Sequence, residues 1–163
     1  MHRLVFAFII AANFAAFGSA AADARPSVVL KLQGDVVHRD ASGAVKLTPV
    51  EGEALKPGET VRYDIVATNA GGDPASKLVP VGKIPAGTAY EAGSASVSGA
   101  SRVEFSIDGG KTWSAKPLVR VQTANGTIEK PADPASYTTL RWIGAPSLAA
   151  KASVTYSYQV RIK

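Results

Sequence analysis

The sequence predicts an all-β chain folded as an antiparallel sandwich, and three observations predict it. Apolar residues recur at every second position in several separate runs. Clusters of glycine, proline, asparagine and aspartate with hairpin chemistry stand between those runs. Beyond residue 24 no segment shows a helical period, and Leu148 to Lys151 is long enough for one turn at most. Short one-sided strands punctuated in this way belong to antiparallel sheets with one face in a core and the other in water.

Residues 1–24 read as a cleaved signal peptide. His2 and Arg3 make a basic start, Leu4 to Phe17 is apolar except for Asn13, and Ala20-Ala21-Ala22 and Ala22-Asp23-Ala24 offer cleavage sites. The apolar stretch is short for a permanent membrane span, and none is expected in the mature chain. Cleavage is expected between Ala21 and Arg25, leaving a single domain over residues 25–163.

Within that domain, residues 25–50 form an N-terminal strand and hairpin. Val28, Leu30 and Leu32 alternate, and Asp40-Ala41-Ser42-Gly43 joins Val36-Val37-His38 to Val45-Lys46-Leu47. Residues 51–163 hold the larger part. A Pro57-Gly58 turn leads into a strand with Val61, Tyr63, Ile65 and Ala67 on one face and Arg62 and Asp64 on the other. Val103, Phe105 and Ile107 share a face further on, and Ala124 to Ser136 is expected to be a long loop. The last strand alternates Ala152, Val154, Tyr156, Tyr158, Val160 and Ile162 with polar residues. The expected core includes Val61, Tyr63, Ile65, Phe105, Trp142, Val154, Tyr156 and Val160.

Composition narrows the chemistry. The chain has no cysteine, which excludes disulfides, thiolate catalysis and cysteine-held metals. An exported domain without disulfides fits a bacterial periplasm or cell surface. Removing Arg3 and Asp23 leaves 17 basic and 12 acidic groups, so the net charge stays at +5. The basic residues are scattered with no run of three, as on an ordinary solvated surface, and no nucleic-acid partner is expected.

From Leu55 onward the chain resembles the conserved-repeat domain of bacterial and archaeal envelope proteins, the domain of unknown function eleven. The resemblance rests on Pro57-Gly58-Glu59 before Val61-Arg62-Tyr63, on Thr68-Asn69-Ala70-Gly71, and on Ile84-Pro85-Ala86-Gly87-Thr88-Ala89-Tyr90 with Gly93-Ser94 after it. Leu140-Arg141-Trp142-Ile143-Gly144, Leu148-Ala149-Ala150 and the strand from Val154 to Val160 complete it. Val81-Gly82-Lys83 departs from the acidic residue usual there, and Lys151 stands where glycine is common. The resemblance implies an immunoglobulin-like sandwich and an extracytoplasmic location. It carries no catalytic residues.

Several local patterns suggest chemistry, and each also has a structural reading. Ser106, Asp108, Gly110, Thr112 and Trp113 complete the pattern S-x-D-x-G-x-T-W, similar to the hairpins of sialidase-type propellers. One copy cannot build several four-stranded blades, so the motif is read as a turn device in which Asp108 caps backbone amides and Trp113 packs over the hairpin. His38-Arg39-Asp40 spells a kinase triplet without the other kinase motifs. His38 is the only histidine beyond the signal segment, too few for a zinc site, and is expected at a strand edge or surface. The acidic residues are separated by whole strands, which argues against calcium. Most aromatics lie on core phases; Tyr90 and Tyr137, which flank turns, are the candidates for an exposed sugar-stacking platform. Asn125-Gly126-Thr127 is a glycosylation sequon of little weight in a bacterial chain.

Taken together, these readings point to a non-catalytic exported module with a structural or protein-interaction role in the cell envelope. No cofactor or metal is expected. The expected partner is another envelope protein, with a glycan or cell-wall polymer as the alternative. Nothing after the last strand reads as a sorting motif or anchor, so retention would come from a partner or from confinement. The expected working surface is an exposed sheet edge or the loops at one end. On the last strand, Arg161 and Lys163 would instead discourage edge pairing.

Overall fold

Strand alternation resolves into two antiparallel sheets packed face to face. The computed structural model describes residues 25–163 apart from Glu53, Ser98 and Ala100; residues 1–24, expected above to be a signal peptide, lie outside the described residues. The strands are β1 (Val28–Arg39), β2 (Val45–Pro49), β3 (Thr60–Asn69), β4 (Val81–Lys83), β5 (Thr88–Tyr90) and β6 (Ser96–Val97). They continue as β7 (Arg102–Ser106), β8 (Leu118–Thr123), β9 (Gly126–Pro131), β10 (Thr139–Ile143) and β11 (Ser153–Ile162). A 3₁₀ turn spans Pro134–Ser136. Among the described residues no helix is long and apolar enough to cross a membrane.

The larger sheet runs β2-β1-β3-β11-β5, with β6 also on β11. The smaller runs β4-β10-β7, and β8 and β9 form a separate hairpin. Register places Val61, Ile65 and Ala67 of β3 beside Val160, Tyr156 and Val154 of β11. All of these face the smaller sheet, whose inward residues are Leu140 and Trp142 of β10. Trp142 is fully buried and meets the rings of Tyr156 and Tyr158 at 5.4 and 6.2 Å. Of the expected core, Val61, Ile65, Trp142, Tyr156 and Val160 are buried, while Tyr63, Phe105 and Val154 are half-buried against them.

Three expectations are corrected. The segment from Ala124 to Ser136 is mostly regular: Asn125-Gly126 makes the β8–β9 turn and β9 takes Gly126–Pro131. The last strand is no edge, because β11 pairs with β3 on one side and with β5 and β6 on the other. Arg161 therefore guards no edge and instead pairs with Glu91 at 2.7 Å. Finally, Leu30 and Leu32 lie on the inward phase of β1 but are 57% and 61% exposed. Their register partners on β3, Ala67 and Ile65, are buried.

One buried amide ties the end of the sandwich together. The Asn69 side chain donates to the carbonyl oxygens of Asp73, Leu148 and Ala149 and accepts from the amides of Ser27 and Gly71. It thus joins the start of β1 to two loops. A fully used side-chain amide of this kind satisfies backbone groups that no strand partner reaches. Lys151, at the position where glycine is common in the resembling repeats, takes a left-handed φ of 61° in one of those loops. Its ammonium reaches back to the Ala70 carbonyl.

Candidate functional site: a groove between two open edges

The smaller sheet is three strands wide and sits off-centre over the larger one. Phe105 of β7 contacts Tyr90 of β5 (5.0 Å between centroids), and Trp142 of β10 lies over β11. Gly82 of β4 lies against the ring of Tyr158. No strand of the smaller sheet lies over β1, so the inward side chains Leu30 and Leu32 look into an open, largely apolar groove of about 410 Å³. Tyr63, Ile65 and Tyr158 form its floor, and β4 forms its far wall. Tyr63 and Tyr158 stack at 5.4 Å. The Tyr158 hydroxyl donates to the Lys83 carbonyl at 2.5 Å. Burial, and then the neighbouring Tyr63, push the Tyr158 phenol pKa upward, so the hydroxyl stays a donor.

Gly82 is what allows this floor. A Cβ there would stand 2.7 Å from the Tyr158 ring and 3.0 Å from a Leu140 methyl, both well inside normal contact.

Both walls of the groove are sheet edges. The bonds from the Ile84 amide to Thr138 and from the Trp142 amide to Pro80 fix the alternation along β4. Gly82 then bonds to β10, and the N–H groups of Val81 and Lys83 point away from the sheet. On β1, the bonds from Ala70 to Ser27 and from Val50 to Gly34 put the backbone groups of Leu30 and Leu32 on the open side. β2 covers that side only from Asp35 onward. Among the described residues Lys83 is the one charged residue lining the groove.

The residues singled out by the S-x-D-x-G-x-T-W pattern lie at the opposite flank, after β7. Buried Ser106 donates to Asp108 Oδ1 at 2.6 Å and accepts from the amides of Asp108 and Gly110. Asp108 Oδ1 accepts from the amides of Lys111 and Thr112, and Oδ2 from the Thr112 hydroxyl. The hydroxyls of Ser106 and Thr112, and then the Thr112 amide, hold the Asp108 carboxyl well below the usual carboxylate range. Gly110 takes a φ of 93° directly against the Trp113 ring. The Arg141 guanidinium lies over that ring, 4.5 Å from the centroid, and is bonded to Glu104 at 2.7 Å. Every strong acceptor of this cluster is therefore engaged within the turn. The turn brings Ser114 back to pair with Phe105 on the outer edge of β7.

The remaining candidates are dispersed. His38 is exposed on β1, and among the described residues no hydrogen bond joins it to a serine or a carboxylate. Its neighbour Asp40 is spent on its own turn, accepting from Ser42 and Ala44. Tyr90 and Tyr137 do not form an exposed platform. Tyr90 is buried, and Tyr137 stacks on Phe105 at 4.7 Å and on Tyr90 at 5.9 Å. Their position beside turns suggested exposure, but a turn at a sandwich end can fold its aromatic back over the core. The groove itself carried one sequence signal, the apolar phase of Val28, Leu30 and Leu32. That phase reads as core unless the width of the facing sheet is known.

Compared with family models, curated proteins and solved structures, the chain matches none.

Proposed function

We propose that this chain is a non-catalytic, exported β-sandwich module of the immunoglobulin-like kind that works in the cell envelope through contacts with another protein. The observation that carries the reading is the groove, where inward-phase Leu30 and Leu32 stand uncovered between two sheet edges whose outward amides have no backbone partner among the described residues. Exposed apolar surface of this kind marks an interaction site. Export is supported by the basic start, the apolar stretch and the alanine-rich cleavage region of residues 1–24. The ordered motifs from Pro57-Gly58-Glu59 to the Val154–Val160 strand support kinship with envelope repeat domains. The glycan alternative has no such support, since its two candidate aromatics stack on the core.

The test is cross-linking in intact cells, followed by fractionation and intact-mass analysis. The reading expects an envelope-associated chain starting between Ala21 and Arg25 and a protein cross-link that survives washing. Retained Met1, or a chain that is retained by glycan and cross-links to no protein, overturns it.

A further inference from the structure

We propose that the groove receives one extended polypeptide strand from a partner, which adds to the smaller sheet along β4 and covers Leu30 and Leu32. This inference rests on the protein-contact reading above and specifies how that contact is made.

Four observations choose this occupant. First, the backbone. Val81 and Lys83 present amides on the outer edge of β4 with no acceptor among the described residues. An acyl chain or a small apolar ligand would leave those amides unmatched, whereas a strand supplies carbonyls at the required spacing. Second, the side chains. A fourth strand beside β4 would lie over β1, where Leu30 and Leu32 are inward by register yet 57% and 61% exposed. A strand added to the open edge of β1 would only widen the larger sheet and leave both leucines uncovered. Third, size. Nine residues line the groove. A stable interface between globular faces uses roughly 20–30 residues a side. A folded second copy docked by its surface does not fit that footprint, and a single strand does. Fourth, charge. Among the described residues Lys83 is the one charged lining residue, on the outward phase of β4 beside inward Gly82, in a chain of net charge +5. The strand that fits has apolar residues at alternate positions and a carboxylate near Lys83. The length of pairing is also bounded. By the same alternation Pro85 would present its edge outward, and it has no N–H to offer, so pairing ends there.

Hydrogen exchange and titration with synthetic peptides test the proposal on the mature chain. The probe is a heptapeptide with isoleucine or valine at alternate positions, threonine between them and one terminal glutamate. One control has the same composition with the apolar residues made consecutive, and a second replaces the central residue of the probe with proline. The alternating peptide is expected to saturate, and to slow exchange at the amides of Val81 and Lys83 by about tenfold or more while leaving those of Leu30 and Leu32 unchanged. Leu32→Ser, at an exposed position that leaves folding intact, should weaken binding about tenfold. Lys83→Glu should weaken it severalfold and be rescued by a lysine in place of the peptide's glutamate.

Equal binding of all three peptides overturns the proposal, as does protection at Leu30 and Leu32 instead of β4. So does no saturation of the alternating peptide up to about 1 mM, or a fatty acid filling the groove where no peptide does. A protein cross-link from intact cells that is unaffected by Leu32→Ser overturns this proposal while leaving the protein-contact reading standing. The absence of any protein cross-link removes that reading as well.

Discussion

The two edges of the smaller sheet are made of similar material and end differently. At β7 the chain turns through Ser106–Trp113 and returns Ser114 to the edge, exchanging both backbone bonds with Phe105. Behind that edge Phe105, Tyr90 and Tyr137 stack into a closed aromatic flank. At β4 the chain passes between Pro80 and Pro85, nothing folds back, and the leucines of β1 stay open. The difference lies in the segment that leaves each strand. A side-chain-capped turn can return the chain to its own edge, while a connection to the next strand across the sandwich cannot. An edge left open needs charge, proline or a partner to keep it from indiscriminate pairing, and β4 has a flanking proline on each side and Lys83.

Four substitutions sharpen or break this comparison, in decreasing order of effect. Phe105→Ala removes the centre of the closed flank and should cost about 3 kcal/mol, the low end for a truncated aromatic because the ring is half-buried. Chemical denaturation that finds a loss below about 0.5 kcal/mol would show that this flank is not part of the core. Gly82→Ala forces a methyl against the Tyr158 ring. The expected cost is about 1–3 kcal/mol, typical of overpacking. An unchanged melting midpoint would mean that the floor of the groove yields.

Asp108→Asn should lower stability by less than either, and its effect should depend on pH. Hydrogen bonds depress the folded-state carboxyl below its ordinary value of 3.8. The stabilisation is therefore complete above that value and is lost as pH falls through the depressed folded value. The parent and the variant should differ in denaturation at neutral pH and converge under acid. A constant gap down to acid pH would contradict the capping role. Leu32→Ser, at 61% exposure, should change stability by less than about 0.5 kcal/mol. A loss of several kcal/mol would place Leu32 in a closed core and abolish the contrast between the flanks.

Much of this was legible along the chain. Strict alternation placed Val61, Ile65, Tyr156 and Val160 on one phase, and all four are buried. Asp40-Ala41-Ser42-Gly43 announced the β1–β2 hairpin, which forms with Asp40 capping it. The S-x-D-x-G-x-T-W stretch was legible for the same reason, since its bonds run between residues two to four apart. The groove was not. Leu30 and Leu32 carry the same alternation as Val61 and Ile65, and nothing nearby in sequence separates the two pairs.

What the sequence by itself determined is therefore everything set by neighbours along the chain: strand phase, turn position, hairpin capping and the all-β class. Period two decides which face of a strand a side chain takes. It does not decide whether another layer lies over that face. That depends on strand order and on how many strands the opposing sheet holds. Here β11 came to the interior of the larger sheet and β1 to a place that a three-stranded partner does not reach. Burial is a property of the pair of layers, so only the tertiary structure could turn two ordinary core leucines into the wall of an open groove.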